Sequence, residues 1–179
     1  MLRHQQTAEA CLHAMHAPTP IVANMTVNLD WNEYDHQDIL AQLDPDFATP
    51  NGVKRYLSQQ EKPNQALQSR VDKAFSRWIS DDFAEQYTES WSAYQKRIQQ
   101  ALQSTVAQAQ GAKHIAVFSS GGPIALLSQM LLKVPANNLM DLNWTLVNAG
   151  VTKIIVSKHG QVLSSLNDHC AFEGHNRHL

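Results

Sequence analysis

Cysteine is scarce: two in 179 residues, Cys11 and Cys170. Two thiols make no disulfide framework, and they read as reduced cysteines of a cytosolic protein. A basic excess is also lacking. Fourteen Lys and Arg stand against 16 Asp and Glu, for a net charge of −2. That balance excludes an electrostatic surface for nucleic acid or anionic membrane. No apolar run approaches the ~18 residues of a membrane span, and the N-terminus shows no signal-peptide pattern. Internal repeats and interdomain linkers are missing. The expectation is a cytoplasmic protein with no membrane or nucleic-acid partner. What is present is globular: 43% hydrophobic residues and a mean hydropathy of −0.36. These values exclude collagen-like, mucin-like and wholly disordered chains. A chain of this length suits one domain and can bury about 70% of its unfolded surface.

A first helix is under way from the first residues, with Ala8, Cys11, Leu12 and Met15 on one apolar face. Pro18 and Pro20 stop it. Ile21 to Val27 is a short β-prone run, followed by a loop through Trp31 and Glu33. Asp35 is placed to cap a short helix over 38–43, ended by Asp44-Pro45. Residues 44–63 are turn-rich, with a helical piece around 53–57. Two longer helices are predicted over 65–79 and 87–110, the second closed by Gly111. His114 to Phe118 is a continuous apolar run, the pattern of a strand buried on both faces of a parallel sheet. Ser119-Ser120-Gly121-Gly122-Pro123 turns directly into an apolar helix over 124–134. Strands over 147–157 and 161–166 form a hairpin around Lys158-His159-Gly160. The fold class is α/β: a sandwich with a mostly parallel sheet and one antiparallel edge.

Three segments could carry chemistry. Phe118 to Ile124 is a strand–turn–helix unit whose glycines and helix N-terminus suit an anion, above all phosphate, or serve only the geometry of a tight turn. Arg3 stands at the mouth of the first helix, where its fork can bind phosphate bidentately or be merely solvated. Glu33, shielded by Trp31 and Tyr34, can act as a general acid if its pKa is raised, or be a solvated residue before a helix. A serine nucleophile at Ser119 or Ser120 is a further reading, although the Gly-x-Ser-x-Gly pattern is incomplete. His169 and His175 lie six apart in the tail without a recognisable zinc pattern, so no metal and no cofactor is expected.

Taken in order, these segments resemble the histidine phosphatase superfamily, the phosphoglycerate-mutase-like proteins. The resemblance rests on Leu2, Arg3, Gln6, Thr7 and Ala8, then Asn32, Glu33, Asp35 and His36. It continues with Trp91, Tyr94, Arg97 and Ile98, with Phe118 through Ile124, approximately with Asn148, Val151 and Thr152, and with Leu166-Asn167-Asp168. It implies a three-layer α/β/α sandwich and phosphomonoester hydrolysis or phosphoryl transfer through a phosphohistidine. It implies Arg3 as a phosphate-binding arginine, Glu33 as proton donor and Gly121 as a backbone donor to phosphate. The segment from about 45 to 86 is then a helical cap on the single domain spanning 1–179. The partner is a phosphorylated small molecule or inorganic phosphate.

Two departures qualify what the resemblance implies. The family's Arg-His-Gly motif is missing: Arg-His occurs only at Arg3-His4 and Arg177-His178, neither followed by Gly. Ser120 stands at the position of the family's second catalytic histidine, a neutral hydroxyl in place of a potential cation. The expectation is a chain truncated before its family's first strand and inactive for want of the nucleophile. The alternative is a non-catalytic protein that binds phosphate or a partner. The missing strand leaves a gap beside residues 115–118, so a marginal monomer or a homodimer through that gap is expected.

Overall fold

The computed structural model describes residues 1–15, 25–109 and 111–170. The expectations for Pro18, Pro20, residues 21–24, His175 and His178 fall outside the described residues. Within them the chain forms seven α-helices: α1 (Leu2–Ala14), α2 (His36–Leu43), α3 (Pro50–Ser58), α4 (Pro63–Ser80), α5 (Trp91–Gln108), α6 (Gly121–Leu132) and α7 (Leu139–Thr145). One antiparallel pair, β1 (Val151–Ser157) and β2 (Gly160–Asp168), completes a mixed helix and strand architecture. No helix among the described residues is long and apolar enough to cross a membrane.

Local chemistry sets the helix boundaries. The Asp35 carboxylate accepts hydrogen bonds from the backbone N–H groups of Gln37 and Asp38, and so opens α2. Thr49 and Pro50 open α3 ahead of the predicted helical piece, because the Thr49 hydroxyl accepts from Gly52 N and Pro50 lacks only an N–H that has no partner there. Helix α5 begins at Trp91, later than its periodicity predicts, because Ser90 caps it by accepting from Ala93 N. Asp81 closes α4 in the left-handed region at φ 61°.

The core is centred on aromatic side chains from α4, α5 and the loop before α2. Tyr34, Phe75, Trp78, Trp91 and Tyr94 are buried together with Ile39, Ile98, Leu126 and Leu139. The Trp78 and Trp91 rings meet edge to face at 5.1 Å, and Tyr34 packs at 5.3–5.6 Å on Phe75, Trp78 and Tyr94. Helix α4 therefore belongs to the common core, although it lies in the stretch expected to act as a cap.

The hairpin pairs Ser157 with Gly160 and Val156 with Gln161 around a two-residue turn, Lys158-His159. Gly160 sits at φ 120°, a conformation open to glycine. Among the described residues this hairpin is the whole sheet. His114 to Phe118, predicted as a strand buried on both faces, runs without strand pairing; Ile115 is 47% exposed and Val117 43%. The reason is physical: an apolar strand is buried only when neighbouring strands and helices cover it, and no described strand pairs with this one.

Candidate functional site

The site forms where α6 begins. Gly121 and Gly122 start the helix directly, three residues earlier than predicted, so the N-terminal N–H groups face the loop that carries Glu33. Gly122 N donates to Glu33 Oε2 at 3.1 Å, and Tyr34 N donates to Glu33 Oε1 at 3.2 Å. The side chain of Glu33 thus occupies the helix N-terminus where sequence reasoning placed a bound anion. A methyl group on Gly122 would overlap Glu33 Oε1 and come within 2.5 Å of Tyr34 Cε1, so this approach requires glycine.

Burial raises the pKa of Glu33 above its ordinary value. The two backbone N–H donors, Arg3 and His36 oppose that rise without cancelling it. The sign follows for stability. The folded state holds the Glu33 proton to higher pH than the unfolded state does. Stability from this group is therefore greatest below about 4.5, the ordinary Glu value, and is lost as pH rises towards the folded pKa. We expect the melting temperature of Glu33→Gln to lack that part of the decline. Wild-type and variant melts across this range check it, and an equal decline in both would overturn it.

Four contacts fix the loop that bears Glu33. Arg97 donates through Nη1 to Asp30 O (2.7 Å) and Asn32 O (2.9 Å), while its other nitrogens fork onto Glu89 at 2.6 and 2.7 Å. Trp31 Nε1 donates to Thr105 Oγ1 at 3.1 Å, and Ser119 Oγ donates to Trp31 O at 2.7 Å. Arg97→Ala removes the donor to two carbonyl oxygens and leaves Glu89 unpaired, with both side chains about one-quarter exposed. We expect it to cost about 2–3 kcal/mol in urea unfolding, and Arg97→Lys to recover little because an ammonium cannot fork. A loss below about 0.5 kcal/mol, within the range for an exposed pair, would show that the clamp is dispensable.

Across the helix start from Glu33 lies Ser120. Its Oγ accepts from Arg3 Nη2 at 3.0 Å and sits 2.9 Å from His4 Nε2. Met1 Sδ is 3.7 Å away. Burial, the N-terminal ammonium and Arg3 together lower the pKa of His4 below its ordinary 6.5, which favours the neutral imidazole at neutral pH. The four residues singled out from sequence, Arg3, Glu33, Ser120 and Gly121, are thus brought together around one helix start. Sequence reasoning missed His4 because nothing local marks it: its partner is 116 positions away. It also missed the Arg97 clamp, whose acceptors are backbone carbonyls. Among the described residues no three His, Cys, Asp or Glu side chains converge to hold a metal ion. A cleft of about 240 Å³ between α4 and α7, bordered by Asp72, Phe75, Ile79, Met140, Asp141 and Trp144, shares no lining residue with this site.

No curated protein and no solved structure is significantly similar to the chain. The family model for the histidine phosphatase superfamily (branch 1) matches residues 55–169. The matched span includes the Ser120–Gly122 turn, α5 and the hairpin; Arg3 and Glu33 precede it. With most of its length matched, and with the Ser-Gly-Gly turn opening a helix against an acidic side chain, the chain belongs to the histidine phosphatase superfamily, branch 1.

Proposed function

We propose that the helix start at Gly121 is the phosphomonoester site of a histidine phosphatase or phosphomutase, and that these 179 residues bind the phosphoryl group without turning it over. Arg3, the Gly121 amide and the Ser120 hydroxyl bind the phosphoryl oxygens. Glu33 is the proton donor to the leaving oxygen. The observation that carries this reading is the convergence of a guanidinium on Ser120 and a carboxyl of raised pKa on Gly122, two residues apart. A loose, anionic transition state needs such cationic donors, and an acid that keeps its proton to higher pH is better matched to its task. It also needs a nucleophile, and no histidine in the 179 residues stands in an Arg-His-Gly motif. The same reading takes His114–Phe118, which has no strand partner among the described residues, as the place of a parallel-sheet strand in the family's three-layer sandwich, with the hairpin at its antiparallel edge. The 45–86 segment is its cap, with α4 packed at the same time into the core. The ligand is a phosphorylated small molecule or inorganic phosphate.

Glu33 competes with an incoming oxyanion for the Gly122 amide, so binding is weak, in the millimolar range that corresponds to about −4 kcal/mol. Sulfate, which does not itself titrate here, is the cleaner probe. We expect its amide shifts to concentrate at Gly121, Gly122 and Ile124, to shrink in Arg3→Ala, and to grow as Glu33 is protonated. No shift at these amides up to tens of millimolar would end the binding part of the proposal. Turnover of p-nitrophenyl phosphate by the wild-type chain, abolished in Glu33→Gln, would end the claim of inactivity.

A further inference from the structure

We infer that Ser120 is a nucleophile activated by His4, able to take an acyl group from a short-chain carboxylic ester. Three features meet at one oxygen. Arg3 Nη2 donates to Oγ, which assigns that lone pair and favours negative charge on the oxygen. His4 Nε2, 2.9 Å from Oγ, is within reach of the hydroxyl proton and is disposed to accept it as the neutral ring protonated on Nδ1. Ser120 is also the last residue before α6, so the N–H of Gly121 lies where a nucleophile-bearing turn supplies its oxyanion donor. Ser120 is only 7% exposed, with Met1 Sδ against its Oγ, which limits the acyl group to a small one. Ser119 is not equivalent: its hydroxyl is committed to Trp31 O.

The step balances without a further reactant. Oγ bonds to the ester carbonyl carbon while its proton passes to His4 Nε2. The carbon–oxygen bond to the alcohol breaks, and the proton leaves with that alcohol. Water then attacks the acyl-serine, His4 takes the water proton and returns it to Oγ, and the carboxylic acid is released. This chemistry does not depend on the phosphate reading, since it uses neither Glu33 nor a bound oxyanion.

The test uses p-nitrophenyl acetate and the full 179-residue chain. Acetylated protein is trapped early and mapped by peptide mass spectrometry. We expect acetyl on Ser120, a normal solvent deuterium isotope effect on its formation, and a loss of at least about a hundredfold in His4→Gln. The exposed Ser164→Ala variant should acylate at the wild-type rate. Acetyl on Ser119 or on lysines alone, no isotope effect, or a folded His4→Gln variant that acylates as fast as wild type would each overturn the inference. The wild-type mapping and isotope effect decide the matter even if His4→Gln does not fold. Acylation of Ser120 in a chain that shows no sulfate shifts would remove the phosphate reading and leave this one standing.

Discussion

Trp78→Ala should lower the unfolding free energy by about 3–5 kcal/mol, the cost of deleting a buried indole that its neighbours cannot fully collapse to replace. Trp78 is 1% exposed. It stacks edge-on against Trp91, tilts against Tyr34 and Tyr94, and donates through Nε1 to Glu89 O at 2.9 Å. The substitution opens a cavity at the meeting point of α4, α5 and the Glu33 loop, and it leaves a carbonyl without its indole donor. Against a total stability of about 5–15 kcal/mol for ordinary domains, that loss leaves a large unfolded fraction. Trp78→Phe should cost less, because it keeps most of the ring volume and loses only the hydrogen bond and part of the packing. Urea unfolding followed by far-UV circular dichroism measures both. A Trp78→Ala midpoint within experimental error of wild type would mean that the aromatic cluster is not the core.

Gly122→Ala should displace Glu33 from the start of α6. The added Cβ would overlap the Glu33 carboxylate and press on the Tyr34 ring; both are held in place by the core and the Arg97 clamp. Overpacking of this kind costs about 1–3 kcal/mol, and the lost charge-assisted bond adds about 1.5–3. The site should change more than the fold. Once moved towards solvent, Glu33 loses the burial that raises its pKa, so its titration should fall towards the ordinary carboxylate value. Gly121→Ala is the informative neighbour. Its Cβ would press on Asn143 Oδ1 at 2.9 Å and touch Leu146 Cδ1 at an ordinary 3.8 Å, a lighter clash than the one at Gly122. Carbon-13 titration of the Glu33 carboxyl in the two variants separates these outcomes. Equal behaviour at both positions would show that the Gly122–Glu33 contact does not hold the acid in place.

Much of this was legible in local sequence. Asp35 announced its helix because a cap is a relation between residues two and three apart. The hairpin showed in its turn, and the Ser-Gly-Gly turn pointed to a helix start. Helix α7 went unread because seven residues carry less than two full turns of pattern. The 114–118 run read as buried because apolar composition reports what a segment would gain from cover, and whether cover exists depends on strands elsewhere. The site was half legible. Arg3, Glu33, Ser120 and Gly121 could be named, but not that Glu33 would itself take the Gly122 amide or that His4 would reach Ser120. Those pairings join residues 89 and 116 positions apart, and no local periodicity encodes them.

These separations also order the events of folding. Helices α2 to α4 and their connecting turns close over short stretches of chain, whereas Arg3 meets Ser120 across 117 residues and Trp31 meets Ser119 across 88. Long loops close slowly, because their entropy is spent before any contact repays it. During synthesis the acid loop and the first helix turn must wait until residue 122 has left the ribosome before either finds its partner. Hydrogen exchange during refolding should therefore protect the amides of α4 and α5 before that of Gly122, and the site becomes a late checkpoint that reports whether α1 and the acid loop have met the start of α6.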